Sequence, residues 1–61
     1  MNLNTYNIYL GNNQLYIRWR NGRWVVLEEY EDCDIVCEGS YKDCVEYCDK
    51  RYIEYQESII G

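Results

Sequence analysis

The chain has 61 residues, with eleven acidic and six basic side chains, a net charge of -5, and neither histidine nor proline. A chain of this length forms one domain with a marginal core, and without histidine it lacks the usual general base and the commonest nitrogen ligand for metals. The acidic balance disfavours nucleic acid as a partner, because phosphates repel it at long range. We therefore expect a single non-enzymatic domain over residues 1–61 that needs no cofactor.

The charges are divided unevenly along the sequence. Residues 1–27 contain three arginines and no acid, whereas residues 28–61 contain all eleven acids and only three basic residues. Residues 1–5 have no signal-peptide pattern, and no apolar run approaches the roughly 20 residues of a membrane span. We expect a cytoplasmic protein with reduced thiols and no membrane partner.

The first half predicts an antiparallel meander. Residues 4–10, 14–20 and 23–30 alternate between apolar and polar side chains, and Asn21-Gly22 is the strongest short-range signal for a two-residue hairpin turn. With that turn, Tyr16 faces Leu27, Ile17 faces Val26, Arg18 faces Val25, Trp19 faces Trp24 and Arg20 faces Arg23. A first turn at Asn12-Asn13 would set Leu10 against Leu15, Ile8 against Ile17 and Tyr6 against Trp19.

The second half predicts a loop, a short strand and a helix. A carboxylate-rich stretch suits a solvated strand end and loop, and its acidic surface comprises Glu28, Glu29, Glu31, Asp32 and Asp34. Residues 34–38 could add a fourth strand, with Cys33, Ile35 and Cys37 on one side. Ser40, followed three residues later by Asp43, is typical of a helix N-cap. From there an amphipathic helix is predicted over residues 41–57, with one stripe made of Tyr41, Cys44, Val45, Cys48, Tyr52, Tyr55 and Ile59.

These elements predict an α+β fold, in which three or four antiparallel strands carry one C-terminal helix on one face. The four cysteines form two Cys-x-x-x-Cys pairs, Cys33 with Cys37 and Cys44 with Cys48. We interpret them mainly as small apolar residues of the strand and the buried stripe. Two alternatives are a disulfide from the first pair to the helix and a zinc site made of all four thiolates.

The sheet face opposite the helix is the predicted binding surface, since one helix can cover only one side of a small sheet. Tyrosine and arginine are enriched in protein interfaces. We expect a protein partner or a second copy of the chain there, with a solvated face and single-stranded nucleic acid as weaker alternatives. Because Arg20 and Arg23 repel each other, an acid should lie nearby, either Glu29, Glu31 or one from a partner. The predicted partner-binding residues are Tyr9, Tyr16, Arg18, Arg20, Arg23, Val25 and Leu27.

The acidic residues have two interpretations of their own. They could mimic the phosphates of DNA and occupy a nucleic-acid-binding site, or they could simply keep a small protein in solution. The strings Trp19-Arg-Asn-Gly-Arg-Trp-Val-Val-Leu27 and Ser40-Tyr-Lys-Asp-Cys-Val-Glu-Tyr-Cys48 resemble the small acidic meander-plus-helix proteins of bacteriophages and mobile elements. That resemblance, to anti-CRISPR and other counter-defence inhibitors, implies a phage-encoded protein that blocks a host defence protein.

Overall fold

The computed structural model describes residues 6–60, which form one four-stranded antiparallel sheet and one helix. The strands follow one another in the sheet in chain order, so the fold is the predicted α+β meander with a C-terminal helix. The fourth strand, which the sequence left open, is present. The elements are β1 (Tyr6–Leu10), β2 (Asn13–Arg20), β3 (Arg23–Glu29), β4 (Cys33–Gly39) and α1 (Tyr41–Ile60).

The core lies between α1 and one face of the sheet, which we call the inner face. The helix contributes Cys44 and Cys48, both fully buried, as the apolar stripe predicts. Half-buried tyrosines and Trp24 surround this centre, so aromatic area supplies much of the bulk that a short chain needs. The sheet contributes Leu10, Leu15, Ile17 and Val26 to the same cluster.

The β2–β3 hairpin has the predicted turn and the predicted register. Asn21 and Gly22 both have positive φ, at 54° and 81°, as a type I′ turn requires. Trp19 lies opposite Trp24, with ring centroids 5.2 Å apart in an edge-on arrangement. Trp19 is nevertheless 56% exposed. The helix begins at Tyr41, whose ring packs on Trp24 with ring centroids 4.9 Å apart. The first helical residue therefore contacts Trp24, while Trp19 packs against Trp24 from the other strand.

The predicted register of the first hairpin is wrong by two residues. The turn is Gly11-Asn12, because Gly11 takes a φ of 67° without a Cβ penalty. A shift of two residues keeps every side chain on its predicted face, since strand side chains alternate with a period of two. The observed partners are Tyr6 with Ile17, Ile8 with Leu15, and Leu10 with Asn13.

A β-bulge in β4 overturns the predicted grouping of Cys33, Ile35 and Cys37. Val26 pairs with Cys37 and the next residue, Leu27, pairs with Ile35, which leaves Val36 as the extra residue. The extra residue reverses the alternation. Cys37 therefore faces the core, whereas Ile35 and Cys33 lie on the opposite face of the sheet, which we call the outer face.

The helix begins where the sequence predicts and ends three residues later. The Ser40 hydroxyl accepts a hydrogen bond from the Asp43 amide at 3.1 Å, and the Asp43 carboxylate accepts one from the Ser40 amide at 3.4 Å. This reciprocal cap satisfies two backbone donors that the first turn leaves free.

The predicted strand start at residues 4 and 5 lies outside the described residues, as does the N-terminal stretch without a signal-peptide pattern.

Candidate interaction surfaces

The outer face of the sheet holds every predicted partner-binding residue. The observed pairs Tyr16 with Leu27 and Arg18 with Val25 put these four side chains on the side opposite the core. Tyr9 pairs with Gln14 and reaches the same face from β1. Because α1 packs on the inner face, no second layer formed by residues 6–60 lies over these side chains.

Two of the predicted contact residues are not exposed, which corrects the expectation of an open apolar patch. Val25 is 2% exposed and Leu27 is 3% exposed. Both belong to β3, an interior strand, so each is flanked on two sides. Arg18 and Glu38 lie beside Val25, and Tyr16 and Ile35 lie beside Leu27. The aliphatic stems and rings of these longer neighbours exclude water from the smaller side chains between them.

The acid that pairs with a hairpin arginine is Glu38, where the sequence suggested Glu29, Glu31 or an acid from a partner. Arg23 of β3 forms an ion pair with Glu38 of the neighbouring strand β4. The two side chains are 57% and 45% exposed, so the pair orients Arg23 more than it stabilises the fold.

Arg18 and Tyr16 form an ordered unit at the centre of the outer face. The Arg18 guanidinium lies 4.5 Å from the centre of the Tyr16 ring and donates a hydrogen bond to the Ile17 carbonyl at 2.9 Å. The Tyr16 hydroxyl hydrogen-bonds with the Cys33 sulfur at 3.1 Å, which raises the pKa of Tyr16 to about 12. The guanidinium is therefore held over the Tyr16 ring by its hydrogen bond to the backbone.

Arg20 and Tyr9 are the open groups of this face. Arg20 is exposed and makes no ion pair with any carboxylate of residues 6–60. Tyr9 is 67% exposed on the edge strand. The outer face thus offers one fixed arginine, one arginine that is already paired, and one that is free to pair with an incoming acid.

Glu28 borders the predicted acidic surface, but its carboxylate is already paired within the chain. It points to the inner face, where Arg51 of the helix donates to both carboxylate oxygens, at 2.9 and 3.3 Å. Asn13 donates to the same carboxylate at 2.8 Å, and Tyr47 accepts a bond from Arg51 at 2.9 Å. The hydrogen bond from Arg51 lowers the pKa of Glu28 and the carboxylate raises that of Arg51. The partly buried ion pair between Arg51 of α1 and Glu28 of β3 therefore links the helix to the sheet.

The other predicted acids, Glu29, Glu31, Asp32 and Asp34, are exposed at the β3–β4 turn. Three of them border an open cleft of about 330 Å³ together with Glu28 and Tyr30. No basic side chain lines this cleft among the described residues. The β3–β4 turn is therefore an acidic surface, and it lies at the opposite end of the sheet from Arg20.

The cysteines are free thiols on two different faces. Cys37, Cys44 and Cys48 lie on the core side, while Cys33 is exposed beside Tyr16. Burial raises the pKa of Cys44 and of Cys48 to about 11. Because the bulge leaves Cys33 on the outer face, the structure does not bring all four thiols together. Within residues 6–60 no cluster of three or more Cys, His, Asp or Glu side chains is arranged to hold a metal ion.

Sequence reasoning missed two features that shape these surfaces. Glu38 was not recognised as the partner of Arg23, because its face depends on the bulge. Ile53 and Ile60 were left out of the helical stripe, although their spacing of seven puts them on one line of the helix. They are 55% and 84% exposed.

No helix within residues 6–60 is long and apolar enough to span a membrane. Comparison with protein-family models, curated proteins and solved structures gives no match to this chain. The contacts of the two sheet faces are therefore the basis for the function proposed below.

Proposed function

We propose that this protein is a non-enzymatic inhibitor or adaptor that binds a host protein through the outer face of its sheet. The observation that carries the proposal is the ordered tyrosine and arginine surface of β1, β2 and β3, over which residues 6–60 place no second layer. Tyrosine supplies a large contact area at low entropic cost, arginine supplies several strong hydrogen-bond donors, and both are enriched in binding hot spots. The contact residues are Tyr9, Tyr16, Arg18, Arg20 and Arg23.

The chemistry of this surface selects an acidic partner surface. Arg20 has no carboxylate partner within residues 6–60, so a carboxylate on the partner gains a charge-assisted hydrogen bond without displacing one. Arg18 already lies over Tyr16, which reduces the ordering cost of binding. Val25 and Leu27 support the surface from below instead of contacting the partner.

A binding role, not catalysis, also agrees with the state of the thiols. A nucleophilic cysteine needs a lowered pKa, whereas burial raises the pKa of Cys44 and Cys48 to about 11. Together with the resemblance to small acidic counter-defence proteins, this favours a phage-encoded inhibitor that acts on a defence protein in the host cytoplasm. The inhibitor would work by occupying the surface of its target.

Charge reversal on the outer face tests the proposal. Affinity capture from lysate of the native host is done with the natural protein, with R18E/R20E, and with K42E/K50E as the matched control. The control changes the net charge equally but on exposed helix positions. We expect R18E/R20E to lose at least about tenfold of the captured partner and the control to retain it. Equal capture by both variants, or equal loss, would contradict an outer-face interface.

The acidic cleft favours a second candidate, a DNA mimic that occupies a nucleic-acid-binding site of its target. Glu31, Asp32 and Asp34 line the cleft and are exposed. If this candidate is correct, E31Q/D32Q/D34Q abolishes capture, R18E/R20E does not, and binding weakens steeply with salt. Glu28 is left unchanged in this variant because it holds the helix to the sheet. A gel-shift assay at low salt with single-stranded oligonucleotides checks the remaining alternative, direct nucleic-acid binding.

A further inference from the structure

The two edges of the sheet differ in how they are protected against pairing with another chain. The β4 edge carries a bulge at Val36 and exposed carboxylates at Asp34 and Glu38, and these features discourage strand addition. The β1 edge, Tyr6–Leu10, has the sequence Tyr-Asn-Ile-Tyr-Leu, with no charge and no proline. Its pairing with β2 is regular throughout, and within residues 6–60 it has a neighbour on one side only.

We propose that β1 pairs with β1 of a second copy of this chain, so that two four-stranded sheets join into one continuous antiparallel sheet. A two-fold axis through Ile8 sets Ile8 against its own counterpart, Tyr6 against Leu10 and Asn7 against Tyr9. An axis centred on a residue keeps the core-facing side chains of both copies on the same side, whereas an axis between two residues would place apolar residues opposite exposed ones. Centring on Ile8 pairs all five residues of the strand.

The helix provides a second contact on the same side of the molecule. Tyr6 of β1 donates a hydrogen bond to Asp49 at 2.8 Å, which shows that this line of the helix faces the β1 edge. Ile53, Gln56 and Ile60 follow Asp49 by four, seven and eleven residues, so they continue the same line. This stripe is exposed, and Ile53 and Ile60 leave 55% and 84% of their side chains open to water. The second copy would cover it.

The charge distribution fits a second copy better than a charged partner. The edge strand, Ile53, Gln56 and Ile60 are uncharged. Asp49, at the start of the same line, is charged, but it already accepts the hydrogen bond from Tyr6. By their spacing, Glu57 lies beside this line and Glu54 lies farther round the helix. Two copies of net charge -5 repel each other at long range. Salt screens that repulsion, so the dimer tightens as salt rises. Binding of an acidic partner by the outer face has the opposite salt dependence, and the dimer does not depend on the proposed function.

Sedimentation of the isolated protein tests this inference. The natural chain should shift from 7.5 kDa toward twice that mass as its concentration rises. N7K/Y9K, which sets lysine opposite lysine across the seam, should weaken the dimer at least about tenfold. E31Q/D34N is the matched control, since it raises the net charge by the same amount at exposed positions of the β3–β4 turn, and it should dimerise as the natural chain does.

A second variant keeps the test independent of β1 folding. I53E/I60E changes only exposed helix positions and should also weaken the dimer, with an unchanged far-ultraviolet circular dichroism spectrum. A natural chain that stays monomeric at every concentration overturns the inference. So does a dimer that N7K/Y9K and I53E/I60E leave as tight as the control.

Discussion

The two faces of the sheet bury leucines equally well by different means. Leu15 on the inner face is 0% exposed under a helix, and Leu27 on the outer face is 3% exposed with no helix above it. Around Leu27 the shielding comes from Tyr16 and Ile35 on the adjacent strands. The difference shows that a small sheet can seal an uncovered face with its own long side chains and still leave their polar ends available to a partner. Substitutions at matched positions separate the two kinds of burial.

Leu15→Ala should have the largest effect on stability. Its side chain lies in the rigid cluster with Ile17, Val26 and Cys48, where the surroundings cannot collapse onto a cavity. We expect a loss of about 3 to 4 kcal/mol, a large share of what a domain of this size has. Urea unfolding followed by tryptophan fluorescence measures it, and a loss below about 1 kcal/mol would show that the helix does not pack tightly on this face.

Leu27→Ala should cost less, about 2 kcal/mol, because Tyr16 and Ile35 can move toward the vacated space. The same urea experiment gives the comparison directly. A cost equal to or above that of Leu15→Ala would mean that the outer face is covered as rigidly as the core. In that outcome the outer face could not serve as an open binding surface.

Glu28→Gln should cost about 1 to 2 kcal/mol near neutral pH, because it removes the charge that Arg51 of the helix binds. The pKa of Glu28 is lowered in the folded chain, chiefly by the hydrogen bond from Arg51. Its stabilising effect is therefore complete above its unfolded pKa and is lost as the pH falls through the lower folded pKa. The free energy of unfolding of the natural chain should approach that of the variant in acid. A difference that persists unchanged at low pH would contradict this origin.

Arg18→Ala should have the smallest effect, about 0.5 to 1 kcal/mol, through the loss of its contact with Tyr16 and of the stem beside Val25. Arg20→Ala is the control, since Arg20 is exposed and contacts no aromatic ring among the described residues. Its effect should be near zero. Equal effects of the two changes in urea unfolding would show that Arg18 does not shield the outer face.

The sequence predicted the fold where one local signal was decisive. Asn21-Gly22 fixed the β2–β3 register, because both turn positions need positive φ. For the first hairpin the sequence predicted the turn Asn12-Asn13, whereas the observed turn is Gly11-Asn12. Neighbouring Gly and Asn residues all favour turns, so the local pattern did not fix which two form it. The cap formed by Ser40 and Asp43 was found because its spacing is specific to helix starts.

The features that the sequence could not reveal depend on tertiary neighbours. Val36 and Cys37 are both apolar, so nothing in the pattern marks the bulge that turns Cys37 to the core. Alternation placed Leu27 on the outer face correctly but carries no information on whether Tyr16 shields it. Glu28 belongs to an acidic run, and only the position of Arg51 on the folded helix shows that it is paired.

The most direct test of an outer-face interface uses Cys33 as a natural reporter. Its thiol is exposed and hydrogen-bonds with Tyr16, whereas Cys44 and Cys48 are fully buried and serve as internal controls. Alkylation with iodoacetamide, followed by mass spectrometry, is compared for the free protein and for the captured complex. We predict that Cys33 reacts first in the free protein and is protected at least about tenfold in the complex, while the buried thiols stay unlabelled in both. Equal reaction of Cys33 in the two states would contradict the proposal that the partner covers the outer face.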